Sequence, residues 1–458
     1  MKDIFLHNTL IRDKEKLVPR EPGKVSMYVC GVTPYDALHI GHARAFIVYD
    51  VLHRILEEAG YKVTYVQNVT DVDDKIIARA AQLKVSPAEL ALRYSDETLR
   101  DLALLNCKPA HEYPRVTGHI NEIIEMVQTL IDKNCAYARG GDVYFDVSSD
   151  AEYGKLSGQK PEDLESGARI EPGEHKDDPL DFALWKAAKP GEPSWDSPWG
   201  KGRPGWHIEC SAMALHLLGA GFDIHGGARE LMFPHHENEV AQSESYLDHQ
   251  KFANVWWHCG VVQVDGKKMS KSLGNFITVE DALQLADRNV WRLLFLMTHP
   301  RSPLDYSAEK MQQSKNTWNR VHKSLVSLPE ETPELSAQAQ KFQDDFWAAM
   351  ADDLNTPVAL ATVFDALALW RRENETDLSL AKAIRAALES LGFLFETNEA
   401  GSSELVGQLM DILIDVRNAA RDRRDFATSD QVRDQLKELG IVLEDAVDST
   451  KWHLAGRE

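Results

Sequence analysis

Four side chains that could bind a metal ion stand at widely separated positions in the sequence. They are Cys30, Cys210, His235 and Glu239. The last two lie four residues apart and would share one face of a helix, and two thiolates, an imidazole and a carboxylate make a ligand set that Zn²⁺ accepts. The set lacks the close cysteine pairs of a structural zinc site. His236 or Glu237 could therefore replace a neighbour, and each cysteine could instead be a buried core residue.

The segment His39-Ile40-Gly41-His42 carries residues suited to phosphate chemistry. It lies where a predicted strand at residues 25–30 meets a long amphipathic helix that starts near residue 42. Such a junction points backbone N–H groups and the positive end of the helix dipole at a phosphate. The two histidines could stabilise negative charge in a transition state, and Gly41 would let a nucleotide approach the backbone. The alternative is a histidine pair that only caps the helix.

A third candidate segment, DGKKMSKSLGN at residues 265–275, is rich in lysine. Lys267, Lys268 and Lys271, with flanking glycines, would form a mobile cationic loop able to close over a triphosphate. By itself the segment could be a solvated basic turn. Because this segment and the histidine segment are both expected at strand ends of one sheet, the pair predicts a nucleoside triphosphate site.

The elements that would hold these residues begin with a β-α-β unit, which favours a parallel sheet with a right-handed crossover. Its second strand is predicted at residues 61–66. The pattern resumes after a gap with a helix at 206–218, a strand at 222–225, a helix at 234–246 and a strand at 255–264. The sequence thus predicts an α/β fold in which an inserted region splits a parallel-sheet domain.

Changes in residue pattern along the chain predict five regions. They are the first half of a catalytic domain (1–115), an inserted connective region (116–205), the second half with the lysine-rich loop (206–306), a helical bundle (307–390) and a C-terminal region ending in a small module (391–458). Within the insertion, the proline-rich tract at 172–204 is a poor candidate for a continuous core.

Composition limits the class of protein. The chain has 458 residues, of which 43% are hydrophobic and 27% charged, as expected for a globular protein of several domains. No run approaches the roughly 20 apolar residues that cross a bilayer, so no membrane association is predicted. Five scattered cysteines do not suit a secreted disulfide framework, and a cytoplasmic location is predicted. The net charge of −21 disfavours indiscriminate nucleic-acid binding but permits a local basic stripe.

The segments HIGH at residues 39–42 and KMSKS at 268–272 resemble the two signatures of class I aminoacyl-tRNA synthetases. The resemblance implies a Rossmann-type sheet and a reaction in which an amino-acid carboxylate attacks the α-phosphate of ATP, with Mg²⁺ accompanying the nucleotide. It implies catalytic roles for His39, His42, Lys268 and Lys271. It assigns ATP binding to His39, Gly41, His42 and Lys271.

Longer segments resemble the cysteinyl-tRNA synthetase family, namely CGVTPYDALHIGH, GRPGWHIECSAM, FPHHENE and DLNTPVALA. A zinc–thiolate bond would separate cysteine from serine, which apolar packing does poorly. The resemblance implies one zinc ion per subunit, held by Cys30, Cys210, His235 and Glu239. It implies an L-cysteine pocket lined by Thr70, Trp206 and His207. The other cysteines, predicted to be packing residues, are Cys107, Cys135 and Cys259.

The helical region offers a basic stripe. Arg417, Arg421 and Arg424 would share one helix face able to follow an RNA backbone, although a solvated surface helix fits the interspersed acids as well. The resemblance implies that the helical bundle grips tRNA-Cys and that the terminal module binds its anticodon. A monomer is predicted.

Two alternatives to an aminoacyl-tRNA synthetase activity remain. A ligase of the same lineage could join cysteine to an amino sugar–cyclitol, but it would not need an anticodon module. A non-catalytic RNA-binding paralogue would have lost His39, His42 or Lys271, and all three are present.

Overall fold

The computed structural model describes residues 1–160, 175–269, 274–331, 333–396, 399–438, 441–445 and 450–454. The chain divides into two units, Met1–Leu394 and Phe395–Glu458. Among the described helices, none is long and apolar enough to cross a lipid bilayer.

The described strands and helices are numbered in chain order. The strands are β1 (Phe5–Asn8), β2 (Asp13–Lys16), β3 (Lys24–Val29), β4 (Lys62–Gln67), β5 (Ala136–Arg139), β6 (Asp142–Phe145), β7 (Phe182–Ala187), β8 (Gly202–Pro204), β9 (Phe222–Ala228), β10 (Ala253–Cys259), β11 (Val262–Val264), β12 (Lys267–Lys268), β13 (Leu304–Tyr306), β14 (Ile441–Asp445) and β15 (Thr450–Leu454). The α-helices are α1 (Ile40–Glu58), α2 (Asp74–Leu83), α3 (Pro87–Leu104), α4 (Ile120–Asp132), α5 (Trp206–Leu218), α6 (Glu237–Tyr246), α7 (Val279–Leu285), α8 (Arg288–Leu296), α9 (Ala308–Leu325), α10 (Ala337–Ala351), α11 (Thr356–Arg372), α12 (Leu378–Ser390), α13 (Glu399–Asp422) and α14 (Phe426–Glu438).

Four parallel strands form the central sheet of the first unit, in the order β10-β9-β3-β4. Helix α1 returns the chain from β3 to β4, which makes these two strands parallel. The strands are apolar, with Met27, Ile224 and Trp256 fully buried, as expected where helices cover both faces of a parallel sheet. The predicted α/β fold with a parallel sheet is confirmed.

The single strand predicted at residues 255–264 is wrong, because two strands of two different sheets occupy this stretch. β10 ends at Cys259, and β11 pairs with β12 and β13. The break falls at Gly260, whose N–H donates to the carbonyl oxygen of Pro300 at 2.7 Å. A Cβ at Gly260 would overlap the carbonyl oxygen of Ser302. The close approach of a second backbone therefore ends the first strand.

The expectation that the proline-rich tract contributes little core is also wrong. β7 and β8 lie within this tract and complete the antiparallel sheet β5-β6-β7-β8. Leu184 and Trp185 are fully buried there, and Gly202 leaves room for the Trp185 ring. β8 is the edge strand and ends at Pro204, where a missing N–H costs no bond of the ladder.

Helices α9–α12 complete the first unit, and one buried carboxylate ties them to the sheet. Asp353, between α10 and α11, accepts from the N–H of His7 at 2.9 Å and from Nε1 of Trp257 at 3.0 Å, and it pairs with Arg301. Its φ is +59° and that of Leu354 is +50°. Two successive non-glycine residues in the left-handed region are costly, so these bonds hold the turn.

The second unit contains α13, α14 and the antiparallel hairpin of β14 and β15. The sequence pattern predicts a helix at residues 404–424, where α13 lies, and a strand at 441–443, where β14 lies. It does not predict α14. The two helices are separated at Arg424, whose φ is +60°.

Candidate active site

The four predicted metal-binding side chains converge in the first unit. Cys30 follows β3, Cys210 lies in α5, His235 lies in the turn before α6, and Glu239 lies in α6. All four are buried. The Sγ of Cys30 lies 3.7 Å from Sγ of Cys210, 3.6 Å from Nε2 of His235 and 3.6 Å from Oε1 of Glu239. The same Nε2 and Oε1 are 3.1 Å apart.

These separations match the edges of a tetrahedron around a metal ion. Bonds of about 2.3 Å to sulfur and about 2.0 Å to nitrogen give edges of about 3.8 Å between two sulfurs and about 3.5 Å between sulfur and nitrogen. All four donor atoms lie within 4.8 Å of one another. The cluster can therefore hold one metal ion with little movement of its side chains.

A second set of donors overlaps the first and comprises Cys30, His225, His236 and Glu239. Nε2 of His225 lies 2.9 Å from Oε2 of Glu239, which is a hydrogen-bond distance. Nδ1 of His236 lies 2.7 Å from Nε2 of His258. The bond to Glu239 favours His225 as an outer residue that orients this carboxylate. Nε2 of His236 lies 3.3 Å from Sγ of Cys30, so His236 stays an alternative to His235 as a ligand. The sequence analysis missed His225, whose signal was its place in the strand before the PHHENE segment.

Glu237, the other alternative ligand, is engaged elsewhere. Its carboxylate accepts hydrogen bonds from the backbone N–H groups of Gly154 at 3.0 Å, Leu156 at 3.3 Å and Ser157 at 2.6 Å. A buried carboxylate with three backbone donors is a structural anchor. Glu237 therefore fastens the inserted region to α6.

Burial controls the protonation of the cluster. It raises the pKa of Cys30 well above the ordinary value of 9.0, and the neighbouring Cys210 and Glu239 add to the effect. The hydrogen bond with Cys30 lowers the pKa of Cys210, but burial and the Glu239 charge outweigh it and raise the pKa. Burial lowers the pKa of His235 well below 6.5. At neutral pH the cluster thus holds two thiols and a neutral imidazole, so metal binding would release the thiol protons.

His39 and His42 lie stacked at the start of α1, with ring centroids 3.7 Å apart and planes at 19°. Nδ1 of His39 accepts from the N–H groups of Gly41 at 3.1 Å and His42 at 3.3 Å. His39 therefore caps the helix and occupies two N–H groups that the sequence analysis offered to a phosphate. Burial lowers the pKa of His42 to about 3, and the charges of His39 and Lys75 add to this shift.

The lysine-rich segment is flanked by residues that contact this helix start. The N–H of Ile40 donates to the carbonyl oxygen of Ile277 at 3.0 Å. A Cβ at Gly41 would lie 2.9 Å from the His39 ring and 3.3 Å from Cε of Met269, so glycine suits this position. The two predicted nucleotide segments thus meet in space, although they are far apart in sequence.

Two predicted lysines are described only in part. Lys268 lies in β12, where its backbone pairs with Gln263, and its side chain lies outside the described part of the structure. Lys271 lies outside the described residues altogether. Their roles stay predictions.

Two of the three residues predicted to line a cysteine pocket contact a predicted metal-binding side chain, and the third bonds to the residue before Cys210. The Trp206 ring centroid lies 4.3 Å from that of His235, and Nδ1 of His207 lies 3.1 Å from Nδ1 of His235. Thr70 donates from Oγ1 to Oε2 of Glu209 at 3.0 Å, beside Cys210 in the sequence. Glu209 is fully buried, and burial raises its pKa well above 4.5. No feature of the sequence around Glu209 predicts its hydrogen bond to Thr70.

The remaining cysteines lie apart from the cluster. Cys259 is buried at the end of β10, and Sγ of Cys135 lies 3.7 Å from the carbonyl oxygen of Lys133. Sγ of Cys107 lies 4.0 Å from Nη2 of Arg292. Within the described ranges, none of these three belongs to a group of metal-binding side chains.

The single exposed arginine stripe predicted from the sequence is not found. Arg417 is 2% exposed and so cannot contribute to a surface. Arg421 is exposed on α13, whereas Arg424, also exposed, lies beyond the end of that helix. The three residues would share one helix face only if the helix continued to Arg424. Because α13 ends at Asp422, they do not form one stripe.

Comparisons with known proteins add to this geometry. The model of the family described as "tRNA synthetases class I (C) catalytic domain" matches residues 16–316, and that of the DALR domain matches residues 345–395. The chain is 48% identical to a cysteine–tRNA ligase of Alkalilimnicola ehrlichii and 45% identical to one of Heliobacterium modesticaldum. Each alignment covers 98% of this chain and 99% of the relative.

Solved structures share the fold at low sequence identity. A methionyl-tRNA synthetase of Mycobacterium tuberculosis has a TM-score of 0.56 at 16% identity, covering 80% of this chain and 89% of that one. A LeuRS of Agrobacterium radiobacter has a TM-score of 0.58 at 12% identity, covering 82% of this chain and 84% of that one. From the family match over most of its length and from its relatives, the chain belongs to the cysteine–tRNA ligase family of class I aminoacyl-tRNA synthetases.

Proposed function

We propose that this protein is a cysteine–tRNA ligase, which activates L-cysteine with ATP and transfers it to the 3′ end of tRNA-Cys. The observation that carries the proposal is the buried cluster of two cysteines, a histidine and a glutamate in a chain with the HIGH and KMSKS segments. A soft ligand site of this kind suits a thiol substrate. The proposed products of the first step are cysteinyl-adenylate and pyrophosphate.

The cluster is proposed to hold one Zn²⁺ per subunit, with Cys30, Cys210, His235 and Glu239 as ligands. Bound there, zinc would supply a soft acceptor for the substrate sulfur as thiolate, which the hydroxyl of serine cannot match. The outer partner His225 holds the second oxygen of the glutamate and keeps the first directed at the cysteines.

The cysteine side chain is proposed to lie against Thr70, Trp206 and His207. Two of these residues contact His235 directly, and such contacts would orient a substrate toward the ligand cluster. The Glu209 carboxylate fixes the hydroxyl of Thr70 and so its direction. Residues whose rotamers are held in this way pre-organise a site.

ATP, with Mg²⁺, is proposed to bind at His39, Gly41 and His42, with Lys268 and Lys271 closing over its phosphates. Cε of Met269 lies beside Gly41 and the N–H of Ile40 donates to Ile277, and these placements beside the start of α1 support the proposal. Binding groups that act mainly on the transition state raise the rate of activation rather than the affinity for ATP.

Transfer to tRNA-Cys is proposed to use the region 391–458 for the anticodon, with Arg421 and Arg424 contacting phosphates. Both side chains are exposed, as phosphate contacts require. We propose that the protein acts as a cytoplasmic monomer, with the five regions drawn from the sequence.

Cysteine-dependent ATP–pyrophosphate exchange, followed by charging of purified tRNA-Cys, tests the proposal. We expect exchange with cysteine, little exchange with serine, and charging that needs tRNA-Cys. Exchange without charging, but with coupling of cysteine to an amino sugar–cyclitol, would instead support the alternative ligase. A zinc-loaded protein without exchange would refute the proposed function.

A further inference from the structure

Helix α2 carries a cation beside the candidate active site. Lys75 is the second residue of this helix. Its Nζ lies 5.7 Å from the centroid of the Tyr35 ring and 5.9 Å from that of the Trp206 ring. Tyr35 belongs to the loop that leads to His39, and Trp206 opens helix α5, which carries a metal ligand. The ammonium thus lies near the loop that precedes the nucleotide segment and near the Trp206 ring, which packs against His235.

The nearby histidine does not supply positive charge at this place. Burial lowers the pKa of His42 to about 3, so its ring is neutral at pH 7. The positive charge of Lys75 adds to that lowering, after burial and His39. A neutral imidazole can form hydrogen bonds to an anion but cannot balance its charge.

Lys75 is not committed to a carboxylate of the protein. Within the described residues, no Asp or Glu oxygen forms an ion pair with its Nζ; its neighbour Asp74 pairs with Lys186 and Arg203 instead. The ammonium is exposed, so a substrate can reach it. Its charge is therefore available to a ligand.

The first turn of α2, where Lys75 lies, is a position at which a lysine lowers helix stability. The first turn of a helix carries partial positive charge and prefers acidic residues. Asp73 caps α2 and Asp74 follows, in keeping with this preference, but Lys75 does not. Helix stability would not select lysine here, whereas binding of an anion would.

We propose that Lys75 binds the anionic centre of the activation reaction, where the cysteine carboxylate meets the α-phosphate of ATP. This inference rests on the proposed function and adds a catalytic residue to it. In the step, a carboxylate oxygen forms a bond to the α-phosphorus while the bond from that phosphorus to the pyrophosphate oxygen breaks. The electron pair leaves with pyrophosphate. Lys75 keeps its proton, and its charge offsets the negative charge on the phosphoryl oxygens.

Cysteine-dependent ATP–pyrophosphate exchange by the full-length, zinc-loaded protein tests this role. Lys75→Gln should lower kcat by about 10–100-fold and change KM for cysteine and ATP less, because the contact strengthens in the transition state. Lys75→Arg keeps the charge and should recover part of the rate. Lys84→Gln makes the same charge change at the exposed far end of α2 and should stay within about twofold of the parent.

Zinc content and Tm separate a chemical role from a structural one. Lys75→Gln should keep the zinc and a Tm at or above that of the parent, because lysine is unfavourable in the first turn. An active parent and a Lys75→Gln variant of equal kcat would overturn the proposal and leave the ligase assignment standing. Loss of zinc or a lower Tm in that variant would also count against it. A parent without exchange would refute the ligase assignment and this proposal together.

Discussion

The protonation of the proposed metal ligands predicts how zinc affinity should depend on pH. The pKa values of Cys30 and Cys210 are raised above 9.0, and burial lowers the pKa of His235, so the imidazole is already neutral. Zinc must therefore displace two thiol protons and none from the histidine. Below pH 9 the affinity for zinc should rise about 100-fold per pH unit. This corresponds to about 2.7 kcal/mol of binding free energy per pH unit.

Cys210→Ser should remove one of the two displaced protons. The variant should bind zinc more weakly, and its affinity should rise only about tenfold per pH unit. Cys107→Ser is the matched control, since Cys107 lies outside the cluster, and it should keep the hundredfold dependence of the parent. The two variants should also differ in cysteine-dependent exchange: Cys210→Ser should lose this activity and Cys107→Ser should keep it.

Competition titrations with a chelator of known pH dependence, between pH 6.5 and 8, measure these slopes. Calorimetry in buffers of different ionisation enthalpy counts the released protons independently. A parent slope near zero would show that the thiols are not ligands. An equal slope in Cys210→Ser and the parent would exclude Cys210 from the set.

Three further changes test other parts of the molecule. His42→Asn should reduce cysteine-dependent exchange by about 10²-fold or more while ATP affinity changes less, and an unchanged rate would remove His42 from the site. Joint replacement of Arg421 and Arg424 by Gln should weaken tRNA binding and flatten its salt dependence, with normal exchange without tRNA; equal charging at limiting tRNA would mean that both are only solvated. Asp353→Ala should lower the free energy of unfolding, measured by chemical denaturation, by roughly 3–5 kcal/mol, because it leaves buried donors and a cation unpaired. The control Asp352→Ala, at an exposed carboxylate, should lower it by roughly 1 kcal/mol or less.

Local sequence patterns predicted the elements that make up the sheet. The apolar run at 25–30 forms β3 because both of its faces are covered, and the helix predicted at 206–218 has those bounds. Patterns failed where contacts distant in sequence decide the structure. Gly260 ends β10 because the backbone at Ser302 crosses it, and Trp185 makes a core in a tract rich in proline.

By itself, the sequence determined which side chains are available for chemistry and which short elements carry them. It could not choose between His235 and His236, or between Glu237 and Glu239, because neighbours on a helix differ only in direction. The tertiary structure separated the two glutamates: Glu237 faces the N–H groups of the insertion, and Oε1 of Glu239 faces Cys30. It left both histidines beside Cys30, with Nε2 of His235 at 3.6 Å and Nε2 of His236 at 3.3 Å from its Sγ. Likewise, a helix that ends at Asp422 and the burial of Arg417 removed a stripe that periodicity alone predicts. Direction and burial depend on what packs against an element, and that partner lies elsewhere in the chain.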